Sequence, residues 1–203
     1  MPQLLLATRN KGKLVEMQAL LASLPYQILS VSDFPELPEV EEDKETMEEN
    51  ALKKARTIFS LTNISTIADD SGLEVYSLGM KPGVYSARYA GENVSYADNN
   101  RKLLKELEGI PLEKRKARFR CVSAFVSDKE EKLFEGTCEG TIIDKPRGTN
   151  GFGYDPLFQP IGYSQTLAEL PLEVKNRISH RGKAFRSLKE YLGILGAVSQ
   201  VLL

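Results

Sequence analysis

Short apolar runs alternate with segments of helical period through the first half of the chain, and two long strand-like runs then sit back to back across a short polar break. The alternation calls for crossover connections between strands, and the paired runs call for a hairpin. Parallel and antiparallel neighbours must therefore share one sheet, which predicts an α/β fold with a mixed sheet. At 203 residues the chain can bury one good core, as one domain or two closely joined lobes.

The individual segments are as follows. "QLLLAT" predicts a buried strand, after which Asn10 caps a helix with Leu14, Met17, Leu20, Leu21 and Leu24 on its apolar side. "YQILSVSD" predicts a second strand, and the proline-bearing acidic stretch "FPELPEVEEDKE" predicts a loop. Thr46 and Glu49 form a capping box that starts a helix at Met47, its inner face being Ala51, Leu52, Ala55, Ile58 and Phe59. In "TIADDSGLEV" a strand is expected to end at Asp69 and Asp70, turn through Ser71 and Gly72, and be followed by another strand, "LEVYSLG".

Ser95 to Leu107 predicts an amphipathic helix, closed by Gly109 and Pro111. "ARFRCVSAFVSD" and "EKLFEGTCEGTII" predict the hairpin, and "DKPRGTNGFGYDP" a loop. Thr166 with Glu169 offers a second capping box and a helix through Lys175; a final helix ends before Gly193.

Charge is balanced, with 27 Lys+Arg against 28 Asp+Glu, so an anionic ligand must be held by a local cluster and general affinity for nucleic acid or acidic membranes is not expected. The basic run "EKRKARFR" reads as a solvated turn entering a strand. No run is long enough to span a bilayer, and Cys121 and Cys138 form no C-x-x-C, so a soluble cytoplasmic protein with reduced thiols is expected. The single histidine, His180, rules out a polyhistidine zinc site and leaves oxygen-ligated Mg²⁺ or Mn²⁺ as the metal option.

Four pieces carry chemistry. "ATRNKGK" places a strand end before a helix N-terminus, with Thr8, Asn10 and Lys13 as added donors, a composition suited to a phosphate chain or to a plain helix cap. Asp69 and Asp70, with Glu41 or Glu42, could hold one hard cation, and a carboxylate there could take a proton from water. "NGFGYDP" offers the Phe152 ring for stacking and Asp155 for a polar edge, while "KNRISHRG" concentrates the donors Lys175, Ser179, His180 and Arg181.

Taken in order, "LLATRNKGKLVE", "ETMEENALKKA", "IADDSGLEV", "PGVYSARYAG", "GTNGFGYDPLF" and "ISHRGKA" resemble the inosine triphosphate pyrophosphatase family, the dITP/XTP pyrophosphatases, over nearly the whole of residues 1–203. The resemblance implies a single α/β domain of two lobes around a long mixed sheet flanked by helices, with the active-site cleft between the lobes, assembled as a homodimer. It implies Mg²⁺-dependent hydrolysis of ITP, dITP and XTP between the α and β phosphorus atoms, which removes deaminated purines from the nucleotide pool. No nucleic-acid or membrane partner is implied, and Mn²⁺ is a possible substitute ion.

Position by position, the resemblance matches Thr8, Arg9, Asn10, Lys11, Gly12 and Lys13 to the triphosphate segment, and Lys54 to a phosphate-directed lysine. Glu42 matches a metal-associated acid, with Glu41 left open by the loop spacing; Asp70 matches the general base and metal ligand, and Ser71 a substrate contact. Phe152, Gly153, Tyr154, Asp155, Lys175, His180 and Arg181 match nucleotide-recognition positions. Arg9 departs from the pattern, since the family often has Gly there. Selectivity is expected from His180, Arg181 or backbone N–H groups donating to a 6-keto oxygen, where an adenine amino group would leave donors unpaired.

Overall fold

The computed structural model describes residues 1–201, with side chains as far as residue 194. The strands are β1 (Gln3–Leu6), β2 (Gln27–Ser30), β3 (Thr66–Val75), β4 (Lys81–Pro82), β5 (Lys116–Val126), β6 (Glu131–Ile142) and β7 (Phe158–Pro160). The helices are α1 (Lys11–Leu21), α2 (Met47–Thr62), α3 (Tyr96–Glu106), α4 (Leu172–Ile178) and α5 (His180–Val201). The strand order is β2-β1-β3-β5-β6-β7, with β4 paired to β3. β1 runs parallel to β2 and β3, whereas β4 against β3 and β7 against β6 are antiparallel, so the sheet is mixed as the alternation predicts. β5 and β6 form the expected hairpin, closed by the Ser127 N–H on the Glu130 carbonyl at 3.0 Å.

By contact the chain divides into two compact units, each assembled from separated segments. Residues 1–70, 121–136 and 181 onward make the first, and residues 71–120 and 137–180 the second. In the first, Leu4 and Leu6 of β1, Met17 and Leu21 of α1, Ile67, Phe125, Phe185 and Leu188 form the core. In the second, Leu73, Val75, Leu103, Phe119, Ile142, Tyr154, Leu157 and Phe158 do so. Full burial of each large side chain contributes about 1.5–3 kcal/mol.

Several local expectations are corrected. β3 does not stop at Asp69 and Asp70: it runs unbroken through Ser71 and Gly72 to Val75, so no turn forms and "LEVYSLG" is not a separate strand. Asp, Ser and Gly are poor strand formers in isolation, but a buried pairing position overrides that preference. The second strand ends at Ser30, where the Ser30 side chain caps a 3₁₀ turn over residues 31–33. Thr166 starts no helix, because its hydroxyl donates to the Arg147 carbonyl at 2.8 Å; only Glu169 makes its half of the box, accepting the Thr166 N–H at 2.7 Å. α4 begins after Pro171, which sits at its N-cap. The final helix passes through Gly193 to Val201, since one interior glycine costs only about 1 kcal/mol.

Candidate active site

In the first unit, α1 opens as its sequence dictates. Asn10 is the N-cap, its side chain accepting the Lys13 N–H at 3.1 Å, and the Asn10 N–H donates to the Thr8 hydroxyl at 3.2 Å. The first-turn amides of Lys11 and Gly12 have no acceptor within the helix, which leaves a partly positive backbone pocket at the strand end. Arg9 is exposed and donates to the Leu37 carbonyl at 2.6 Å, so its side chain anchors the acidic loop.

α2 supplies the next layer. Thr46 caps it as expected, accepting the Glu49 N–H at 3.2 Å. Its buried face is Met47, Asn50, Ala51, Lys54, Ala55 and Ile58, while Leu52 and Phe59 are only half-buried. Two polar side chains thus occupy the inner stripe at helical spacing. Asn50 donates to Asp70 Oδ2 at 3.0 Å, and Lys54 donates both to Glu42 and to the Asp69 carbonyl.

β3 places its two acids differently. Adjacent strand residues point to opposite faces, so Asp69 and Asp70 acquire separate partners. Asp69 is 1% exposed, with Arg181 at 2.8 Å and Lys13 at 3.2 Å. Burial favours its neutral form, but Lys13 and Arg181 outweigh this and hold its carboxyl far below the usual range. Asp70 shifts the other way: burial and the nearby Glu42 carboxylate push it up against the opposing pull of Lys54 and Lys13. Glu42 is also opposed by burial, but Lys54 and Lys13 bring it below its ordinary value. Lys13 is raised although burial works against its charge, because Asp69 and Glu42 favour the ammonium.

Glu42 rather than Glu41 turns toward this cluster. Glu41 is exposed, and its backbone carbonyl accepts from Lys53 at 2.8 Å. Among the described residues no group of three or more His, Cys, Asp and Glu could hold a metal. A two-carboxylate set of Asp70 and Glu42 still fits Mg²⁺, which keeps several waters and takes phosphate oxygens for the rest of its shell.

The second unit holds the other candidate residues. Gly151 has φ +71°, and a Cβ there would lie 2.1 Å from Asp155 Oδ2, so the "NGFGYDP" loop needs glycine at that point. Asp155 accepts the Phe152 N–H at 2.8 Å and pairs with Lys175, whose ammonium lies 5.0 Å from the Phe152 ring centre. Asn100 of α3 donates to the Gly153 carbonyl at 3.1 Å. Tyr154 is buried, its hydroxyl donating to the Ser86 carbonyl at 2.9 Å, so its side chain braces the loop. Ser71 is half-buried. His180 is buried, with its ring stacked on Phe119 at 4.6 Å.

A cavity of about 390 Å³ is lined by Tyr96, Asn100, Asn150, Phe152 and their neighbours, with the Tyr96 and Phe152 rings 6.1 Å apart. The structure therefore gathers Lys13, Glu42, Lys54 and Asp70 in one cluster, and Phe152, Asp155 and Lys175 in another. Arg181 lies beside the first of these clusters, against Asp69. It is 1% exposed, and its guanidinium bonds to Asp69 and Glu16.

Glu16, Asn50, Asn100 and Ser86 were not singled out by the sequence reading. Asn50 and Lys54 carried a usable signal, a polar pair at i and i+4 on the face that also bears Met47 and Ile58. Glu16 carried none, because a carboxylate beside Met17 reads as solvated until Arg181 is placed against it.

Residues 4–191 match the Ham1 family. A dITP/XTP pyrophosphatase of Geobacter sulfurreducens is 56% identical over 97% of this chain and 99% of its own length. One from Shouchella clausii is 51% identical over 94% of this chain and 96% of its own length. Among solved structures, a HAM1 protein from Coxiella burnetii superposes with a TM-score of 0.86 at 41% identity, covering 95% of this chain and 99% of that one. The Staphylococcus aureus Ham1 protein gives 0.83 at 40% identity, covering 94% and 98%. Motif order, fold and full-length similarity agree, and the chain belongs to the Ham1 family.

Proposed function

We propose that this protein hydrolyses ITP, dITP and XTP to the nucleoside monophosphate and pyrophosphate, clearing deaminated purines from the nucleotide pool. The observation that carries the reading is the buried Asp70 carboxyl, hydrogen-bonded by Asn50 and set beside Glu42, Lys13 and Lys54. Relatives named dITP/XTP pyrophosphatase, similar over almost their full length, support the same activity.

The phosphate chain meets the amides of Lys11 and Gly12, with Thr8, Lys13 and Lys54 adding donors. Asp70 accepts the proton of a water that attacks the α phosphorus; the α–β bridging oxygen leaves with its electron pair on pyrophosphate. Lys13 and Lys54 balance the charge that grows on the phosphate oxygens. Glu42 and Asp70 would hold Mg²⁺, or Mn²⁺ in its place, which supplies further neutralisation of the leaving pyrophosphate.

For the base, Phe152 offers a ring face. The 6-keto oxygen is read by His180, Arg181 or backbone N–H groups. An amino group in that position sets donor against donor, at roughly 1–3 kcal/mol per buried group left unpaired.

The test is a product assay on ITP, dITP, XTP, GTP and ATP, with orthophosphate and pyrophosphate measured separately. Pyrophosphate from the first three with Mg²⁺, abolished by EDTA, is the expected result; orthophosphate as the primary product defeats the reading. Among the described residues no helix is long and apolar enough to cross a membrane. We propose further, from the family resemblance alone, that the enzyme is a cytosolic homodimer; sedimentation at the mass of one chain would remove the dimer.

A further inference from the structure

Both lysines assigned to the phosphates are held by one residue that the proposed chemistry does not use. Lys13 Nζ lies 3.2 Å from Asp69 Oδ1 and 3.4 Å from the Asp69 carbonyl, and Lys54 donates to that same carbonyl. The remaining oxygen, Oδ2, accepts from Arg181 Nε at 3.1 Å and Nη2 at 2.8 Å, and Cys121 Sγ approaches it at 3.7 Å. At the far end of the guanidinium, Nη1 donates to Glu16 at 2.6 Å. Glu16, Asp69 and Arg181 are 2%, 1% and 1% exposed, so bulk water does not compete for these contacts.

A guanidinium is planar and rigid, so bonding it at both ends fixes its plane. Fixing the plane in turn fixes the carboxylate that receives its fork, and Oδ1 is left 3.2 Å from the Lys13 ammonium, as an ion pair. Lys13 also lies within electrostatic reach of Glu42 and Asp70, which are its alternative partners once Asp69 turns away. Asp69 Oδ2 is hydrogen-bonded by Arg181 and Oδ1 is ion-paired with Lys13 without a hydrogen bond, which separates its role from that of its neighbour Asp70.

We infer that Asp69 is a positioning residue for Lys13 and Lys54, and that Glu16 acts on it at one remove through Arg181. The inference rests on the proposed function, because it concerns lysines whose task is to meet phosphate. Without the Glu16 charge, the guanidinium loses the bond at its far end and draws Asp69 away from Lys13. Phosphate binding weakens in consequence, although Glu16 touches neither substrate nor the reacting water.

The experiment is a double-mutant cycle between Glu16→Gln and Lys13→Ala, read as kcat/KM for ITP and as competitive inhibition by tripolyphosphate, a probe with no base. Urea unfolding of each variant monitors the fold. In the otherwise wild-type chain, Glu16→Gln is expected to lower kcat/KM and weaken tripolyphosphate by about tenfold, the lower end for residues supporting a site from behind. In the Lys13→Ala background the same change should cost less than about twofold, because the lysine that meets the Asp69 carboxylate is gone and Lys54 is held by the Asp69 backbone carbonyl.

Equal factors in both backgrounds would overturn the inference, as would a Glu16→Gln enzyme with unchanged tripolyphosphate inhibition. Should Glu16→Gln fail to fold, Asp69→Asn, which keeps the shape and one acceptor, enters the same cycle with the same two outcomes. Wild-type protein that releases no pyrophosphate from ITP defeats the proposed function itself, whereas active wild type with an additive cycle defeats only the positioning role.

Discussion

Asp69 and Asp70 are joined by one peptide bond, yet the pleat of β3 gives them different surroundings and different duties. Asp70→Asn removes the proton acceptor and should lower kcat by at least ~10²-fold while leaving the urea midpoint near wild type, since Asn50 can still hydrogen-bond to an amide. Near-normal turnover in that variant contradicts the assignment. Asp69, besides positioning Lys13, affects stability. Its folded-state carboxyl lies well below its unfolded value of about 3.9, so the folded state binds the proton more weakly than the unfolded chain. The stability it contributes is therefore complete above that unfolded value and is lost as pH falls toward the folded one. Comparing wild type with Asp69→Asn isolates this contribution. The gap between their urea midpoints should be equal at pH 7 and pH 6 and smaller at pH 3; a gap that widens in acid contradicts the sign.

At the scale of elements, α2 shows what local sequence could and could not reveal. Its cap at Thr46 was legible because capping is settled within four residues. Its inner face was only partly so, because counting apolar residues turns Asn50 and Lys54 outward, and their partners lie on a strand and a loop distant in sequence. β3 was cut short for the same reason: "DDSG" has turn chemistry by itself, and only its burial in the sheet makes it extended. Thr166 was misread because Arg147, the acceptor of its hydroxyl, is supplied by another segment. The loop around Phe152 is where local chemistry and tertiary demand agree. Gly151→Ala forces a Cβ against Asp155 at a positive φ, which should displace the Phe152 ring. KM for ITP should rise several-fold with kcat little changed, which marks lost binding rather than lost chemistry. A fall in kcat at constant KM would locate the loop's role elsewhere.

For the whole molecule, the acids and lysines that gather around Asp70 have a consequence for stability. Burying Glu16, Asp69 and Asp70 beside Lys13, Lys54 and Arg181 costs solvation, which the cations outweigh at Asp69 but not at Asp70. Such a cluster is weak evidence for a stable resting fold and stronger evidence for one completed by its ligand. A non-hydrolysable ITP analogue that binds only the folded chain should add about 2.7 kcal/mol at one hundred times its Kd. Most of that gain should require Mg²⁺, because a polyanion brought beside Asp70 and Glu42 without a cation meets like charge. Thermal unfolding with the analogue alone, the ion alone and both together measures this directly. The proposed arrangement requires a shift for the pair well above the sum of the separate shifts. Additive shifts would mean that ion and triphosphate do not share the Asp70 cluster.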